Sequence, residues 1–231
     1  MLYSPSPTLQ ALIFDMDGVL SDTMPYHLRA WQIYIAQTPE LALARATDLP
    51  RMGGKRNSEL LTEIMPHPIS AADIQRWGAA KEAVYRELIR TEIAWLPGLI
   101  DFLQKAQYAG LRLGLGTSAC AENVELMMNH DRLGDFFQAR AIETDVQRGK
   151  PDPQVYLLVA ERLGVEPKDC LVFEDAIAGV QAARNAGMDC WGVLTTHREA
   201  ELLAVGASVC IADFTDPRLL DLFPSKPLEN S

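Results

Sequence analysis

The stretch Leu12-Ile13-Phe14-Asp15-Met16-Asp17-Gly18-Val19-Leu20-Ser21-Asp22 constrains this chain more than any other. The apolar run Ala11 to Phe14 reads as a strand buried in a parallel sheet, and it stops abruptly at two carboxylates separated by one residue and followed by glycine. In open α/β sheets, ligands bind just beyond the carboxyl ends of the strands, so Asp-x-Asp-Gly presents two acids to a ligand there. Gly18 allows a backbone conformation that other residues resist. Two blander readings compete with this one. A calcium loop wants acids at its first, third and fifth positions and glycine at the sixth, whereas here glycine is fourth and Val19 fifth. A plain strand-turn with solvated acids would explain the motif alone, but not the rest of the chain.

With 231 residues the chain is long enough for one large core, or for a core plus a small insert. Its 48% hydrophobic and 23% charged residues place it among ordinary globular proteins. A formal charge of −10 argues against nucleic acid or an anionic membrane as partner. An anionic small substrate stays compatible with it, because local cations and a metal can reverse the field within a site. Cys120, Cys170, Cys190 and Cys210 show no metal-ligand spacing, and three of them border strand-like runs, so they read as reduced thiols. Residues Met1 to Gln10 lack a basic region leading into an apolar one, and no transmembrane span is visible, so the expected location is the cytoplasm. No obligate protein partner is visible.

Ser21 to Gln37 has helical spacing, with Tyr26, Ala30, Ile33 and Tyr34 on one face. Leu41 to Trp95 continues as helical patterns broken by turn signals at Gly53-Gly54 and Pro66-His67-Pro68, without a convincing strand. An all-helical stretch placed directly after the first strand looks like an insertion. Strand signals then alternate with helices: Leu111 to Gly116, Phe137 to Ile142, Cys170 to Phe173, Cys190 to Leu194 and Ser208 to Ala212. This alternation calls for a parallel sheet covered on both faces.

Four groups fall at strand or loop ends: Asp15 and Asp17, Thr117 or Ser118, Lys150, and Glu174 with Asp175. In a parallel sheet these ends lie on one edge. Carboxylates packed so closely repel one another unless a cation compensates them, and oxygen-only ligands point to Mg²⁺. A lysine and a hydroxyl facing that metal complete a cradle for a phosphoryl group. Asp15 is the better nucleophile candidate, forming an aspartyl phosphate. Asp17 would protonate the leaving oxygen, which requires it to start protonated, a state that close negative charge would favour. Asp175 is the main metal ligand, with Glu174 either a ligand or a partner behind it.

This set resembles the haloacid dehalogenase-like (HAD) superfamily of phosphohydrolases, in the branch with a helical cap after the first strand, near the β-phosphoglucomutase-like proteins. The signatures read Asp15-Met16-Asp17-Gly18-Val19, Gly116-Thr117-Ser118, Gly149-Lys150-Pro151 and Phe173-Glu174-Asp175, the last continuing through Ala176-Ile177-Ala178-Gly179-Val180-Gln181-Ala182-Ala183. The likeness runs from Gln10 to Asp213. It implies a Rossmann-like parallel-sheet α/β core over 1–21 and 96–231, with an inserted all-helical cap over 22–95. It also implies Asp15 as nucleophile, Asp17 as acid/base with its backbone carbonyl on Mg²⁺, and a metal set drawn from Asp15, Asp17, Asp175 and Glu174. Thr117 and Lys150 would hold the transferring phosphoryl. The superfamily includes metal-free dehalogenases; Asp17 and the Glu174-Asp175 pair favour phosphoryl transfer instead.

In the mutase branch, residues matching Thr23 and His27 sit at the cap hinge and help position the acid/base. Arg56 matches an arginine that binds the mutases' second phosphate, and Lys81 is similar to another cap residue facing the site; the alternative reading of both is a solvated helix charge. One departure matters. After the hydroxyl motif the mutases carry a polar and basic cluster that grips the non-reacting phosphate, and here those positions are Ala119, Cys120 and Ala121. The expected activity is therefore hydrolysis of a small phosphate monoester such as a sugar phosphate, with a sugar-phosphate mutase as the alternative and a non-catalytic scaffold as the more distant one. Other strings fail on context: Gly53-Gly54-Lys55 is not a P-loop, Gly114-x-Gly116-x-x-Ala119 only loosely fits a dinucleotide fingerprint, and His67, His130 and His197 have no partners at ligand spacing.

Overall fold

The computed structural model describes residues 9–41 and 56–223. The apolar runs form six parallel strands: β1 (Ala11–Phe14), β2 (Arg112–Gly116), β3 (Ala139–Ala141), β4 (Cys170–Glu174), β5 (Asp189–Val193) and β6 (Val209–Ile211). Their order is β3-β2-β1-β4-β5-β6, so β1 is central, with Phe14 in register with Leu115 on one side and Phe173 on the other. Strand periodicity divides the core into two layers. Leu12 and Phe14 face an aromatic cluster in which Phe14 stacks on Phe173 at 5.1 Å between ring centroids, with Phe102 and Phe214 packed edgewise or tilted beside them. Ala11 and Ile13 face the opposite layer, with Val159, Val172 and Val180.

Helices cover both faces. The aromatic layer is closed by α4 (Leu99–Tyr108), and α5 (Ala121–Asn129) follows β2. The other layer is closed by α6 (Gln154–Leu163) and α7 (Ile177–Asn185), with α8 (Glu199–Ala204) after β5. This is the expected Rossmann-like α/β sheet. Cys170, Cys190 and Cys210 are buried reduced thiols, and Cys120, also reduced, is partly exposed just before α5. Among the described residues no helix is long and apolar enough to cross a membrane.

Between β1 and β2 lie α1 (Met24–Gln37), α2 (Asn57–Ile64) and α3 (Ala71–Ile89). Trp31, Leu60, Leu61, Ile64 and Trp77 form a cluster of their own there, separate from the sheet's two layers. The helix expected from Ser21 starts at Met24, because Ser21 is held in a bridge to Asp17 and Pro25 suits a first turn. The Gly53-Gly54 turn and Lys55 lie outside the described residues. The two ends of the inserted stretch meet, since Leu96 donates its backbone N–H to the Leu20 carbonyl at 3.0 Å.

Candidate active site

The carboxyl edge of the sheet gathers the acids. Asp15 follows β1 directly, its N–H bonded to the Phe173 carbonyl at 3.0 Å, and Gly18 turns the chain back with φ +77°. A β-carbon at Gly18 would stand 2.0 Å from Asp175 Oδ2, so any other residue would displace that carboxylate. Lys150 arrives from the loop before α6 and is buried, 3.0 Å from Asp15 Oδ1 and 2.6 Å from Glu174 Oε1. Glu174 is spoken for on both oxygens: Tyr156 Oη donates to Oε1 at 2.9 Å, and the Ala176 N–H donates to Oε2 at 2.8 Å. It thereby anchors Lys150 from behind the site. The close approach of α7 requires Gly179, where a β-carbon would fall 1.6 Å from Glu174 Oε1.

Asp15, Glu174 and Asp175 each offer an oxygen, all within 4.8 Å of one another, and all three are buried. Burial, set against Lys150 and reinforced by the charges of Glu174 and Asp17, pushes the Asp15 carboxyl up to about 7. Burial and the neighbouring acids Glu174 and Asp15 raise Asp175 well above its usual range. Burial opposes the Lys150 charge, but Asp15 and Glu174 outweigh it and raise the lysine's pKa. Such a set demands either a proton or a cation between its oxygens. Hard oxygen donors around that gap fit Mg²⁺.

Asp17 departs from expectation. Its side chain turns toward the helical insertion, accepting from Thr23 Oγ1 at 2.6 Å and lying 3.3 Å from His27 Nε2. Burial works to raise its pKa, but the charge and hydrogen bond of His27 and the Thr23 bond prevail and hold it below the usual carboxylate value. The expected reason for a protonated Asp17, close negative charge, is therefore corrected: its nearest partners are donors.

Lys81 is not a solvated helix charge. It is buried, with Nζ 2.7 Å from His27 Nδ1 and 2.9 Å from Glu82 Oε1. The His27 ring also stacks on Tyr85 at 3.8 Å. Glu82 accepts in addition from Asn57 Nδ2 at 2.7 Å and, across to α5, from Asn123 Nδ2 at 2.8 Å. Arg86 of α3 donates to Asn123 Oδ1 at 2.9 Å.

A cavity of about 380 Å³ joins these groups, lined by Asp15, Asp17, His27, Trp31, Lys81, Thr117 and Ser118 among others. Thr117 is fixed by backbone and side chain, its N–H on the Ala141 carbonyl and its Oγ1 accepting from the Ala119 N–H, which leaves the hydroxyl proton free to donate into the cavity. Arg56 is not among the lining residues. It caps α2 and faces a neighbouring depression beside Gly149 and Lys150, with Nη2 on the Val146 carbonyl at 3.3 Å and Nε buried without a partner. Sequence reasoning missed Tyr156, Glu82, Asn123, Thr195 and Thr196. Both threonine hydroxyls bond Asp175 Oδ2, and Thr195 also donates to the Gly18 carbonyl at 2.6 Å. Their position just beyond β5, on the same sheet edge, was the available signal.

A parallel sheet with this acid edge and a helical insertion after the first strand defines an α/β protein whose site lies at the carboxyl ends of its strands. The family described as haloacid dehalogenase-like hydrolase matches residues 9–187, and the chain belongs to it. It is similar to a β-phosphoglucomutase of Bacillus subtilis, with 33% identity over 80% of this chain and 83% of that one. It is 34% identical to the fructose-1-phosphate phosphatase YqaB of Escherichia coli, over 77% of this chain and 93% of that one. Among solved structures, a HAD hydrolase of family IA, variant 3, from Entamoeba histolytica superposes with a TM-score of 0.81 at 26% identity, covering 92% of this chain and 98% of that chain. The chain is accordingly a phosphohydrolase of the β-phosphoglucomutase-like group.

Proposed function

We propose that the chain is a Mg²⁺-dependent phosphatase that hydrolyses a small sugar phosphate through a phosphoryl group carried on Asp15. The observation that carries this reading is the placement of Asp15 at the end of the central strand, with Lys150 3.0 Å from its Oδ1 and Asp17 presented from the other side by Thr23 and His27. Lys150 and the Thr117 hydroxyl orient and neutralise the transferring phosphoryl. Asp15 attacks phosphorus, the ester P–O bond breaks, and the leaving oxygen takes a proton from Asp17; Asp17 then receives a proton from the water that attacks the phospho-aspartate. Since Asp17 rests as a carboxylate against its donors, it must gain its proton when substrate brings further negative charge into the cavity. Asp15, Asp175 and the Asp17 carbonyl would hold Mg²⁺, with Glu174 supporting Lys150 behind them. When bound, the metal supplies charge neutralisation that keeps Asp15 ionised and stabilises the phosphoryl oxygens.

The helical stretch 22–95 acts in this reading as a cap that opens for substrate and closes over it. Thr23, His27 and Lys81 link its position to Asp17. The test is Asp15→Asn, expected to abolish turnover of p-nitrophenyl phosphate while leaving the melting temperature within a few degrees; retained turnover removes Asp15 from the nucleophile role.

The mutase reading is favoured by the B. subtilis relative's name and by Arg56 beside the Gly149 loop. Ala119 and Cys120, uncharged in the cavity wall, oppose it. β-Glucose 1-phosphate with a trace of glucose bisphosphate, followed for both glucose 6-phosphate and inorganic phosphate, separates the two. Glucose 6-phosphate formed without matching phosphate release would establish a mutase.

A further inference from the structure

The lining of the active-site cavity carries five carboxylates: Asp15, Asp17, Asp22, Glu82 and Glu143. Three are matched by donors, Asp15 by Lys150, Asp17 by Thr23 and His27, and Glu82 by Lys81, Asn57 and Asn123. Asp22 is exposed at the rim. Glu143 is different: it is half-buried in the core wall, and its carboxylate has no hydrogen-bond or ion-pair partner among the described residues.

Its backbone is held firmly. The Glu143 N–H bonds the Ala119 carbonyl at 3.1 Å, and the turn it belongs to is closed by Asp145, which accepts the Ile142 N–H at 2.9 Å. Arg162 grips both oxygens of Asp145 at 3.1 Å. Glu143 therefore stands beside Ala119 and Cys120, the uncharged stretch that follows the phosphoryl-holding Thr117. Burial raises the Glu143 pKa and the charges of Glu82 and Glu59 add to that, while the charge of Arg56 works the other way without a hydrogen bond to it. Lys81 is balanced by Glu82, and Arg56 lies in the adjoining depression with Nη2 on the Val146 carbonyl.

We propose that Glu143 is a specificity residue that turns away esters bearing a second phosphate and accepts monophosphates whose far end is a neutral polyol. The proposal rests on the phosphatase reading above. A second phosphate dianion placed along this wall meets the Glu143 carboxylate, which no hydrogen-bonded cation offsets. A sugar hydroxyl there instead donates a hydrogen bond to a carboxylate that has none. Discrimination of this kind comes from the repulsive element as much as from the attractive one.

The test uses competition against p-nitrophenyl phosphate hydrolysis with Mg²⁺ present, so that binding is read whether or not the competitor turns over. Ki is measured for glucose 6-phosphate and for glucose 1,6-bisphosphate with the wild-type protein, Glu143→Gln and Glu143→Lys, and melting temperatures verify that the variants fold. The wild type should bind the monophosphate about tenfold or more tightly than the bisphosphate, as one partly screened carboxylate facing a dianion implies. The ratio should fall toward one in Glu143→Gln and invert in Glu143→Lys. A ratio that is the same in all three proteins, a wild-type ratio of one or less, or no competition from either ester overturns the proposal. Absence of any p-nitrophenyl phosphate turnover by the wild type overturns the phosphatase reading itself, and is seen before any variant is compared.

Discussion

Replacing Glu82 by Gln should weaken the protein in a way that depends on pH. The Glu82 carboxylate sits buried among three elements, 2.9 Å from Lys81 Nζ, 2.7 Å from Asn57 Nδ2 and 2.8 Å from Asn123 Nδ2. Burial alone would raise its pKa, but Lys81, His27 and the hydrogen bonds overcome that and hold it at about 2, against an ordinary 4.5. An acid depressed on folding adds stability that is complete above its unfolded pKa and is lost as pH falls through the folded one. A shift from 4.5 to about 2, at about 1.4 kcal/mol per unit, corresponds to about 3 kcal/mol at neutral pH. Roughly 2 kcal/mol of that is gone by about pH 3. Glutamine keeps the shape but leaves the buried Lys81 ammonium without a counter-charge, and it turns an N–H₂ toward one of the three donors. Urea unfolding followed by tryptophan fluorescence reads the relevant region, since Trp31 and Trp77 both lie in the inserted cluster. The gap between wild type and Glu82→Gln should be about 3 kcal/mol at pH 7 and shrink to about 1 kcal/mol near pH 3. A gap that stays constant with pH would show that the residue acts through packing, and would refute the electrostatic reasoning.

Two further expectations concern the chemistry. Asp17→Ala should slow hydrolysis of alkyl phosphates by about a hundredfold or more but that of p-nitrophenyl phosphate far less, because nitrophenolate leaves without a proton; equal losses on both would count against its acid role. With Asp15 held at about 7 by burial and by its acidic neighbours, Mg²⁺ must compete with a proton below that pH. Calorimetric Mg²⁺ affinity should therefore rise by at least about tenfold per pH unit between pH 5 and 7, more steeply because the Asp175 carboxyl is raised as well; a flat profile would contradict the raised carboxyls.

The strands and the ends they deliver were legible because a buried parallel strand writes a short apolar run and its functional residues follow at once. Asp15, Thr117, Glu174 and Asp175 all sit at such ends. What stayed hidden was the company each side chain keeps. Lys81 reads in sequence as one more charge on a helix, and only the packing of α3 against α1 and α5 buries it against His27 and Glu82. Asp17 was read by its neighbours along the chain, whereas its protonation is governed by Thr23 and His27 from the helical insertion. Tyr156 gives no sequence sign of its hydrogen bond to Glu174, eighteen residues away. Polar groups that meet through tertiary packing leave no period to read.

The bond from Leu96 N–H to the Leu20 carbonyl has a consequence for how such a protein can change. Because the neck is closed, the catalytic sheet experiences everything between those residues as a loop whose ends already touch. Closing a loop costs only about 0.6 kcal/mol more for each doubling of its length. The core is thus nearly indifferent to how large the insertion is or what it contains. On the proposed function, substrate recognition and phosphoryl chemistry become separately inheritable parts, and a different insertion grafted between the same two residues would inherit the proposed nucleophile, Asp15, on its strand.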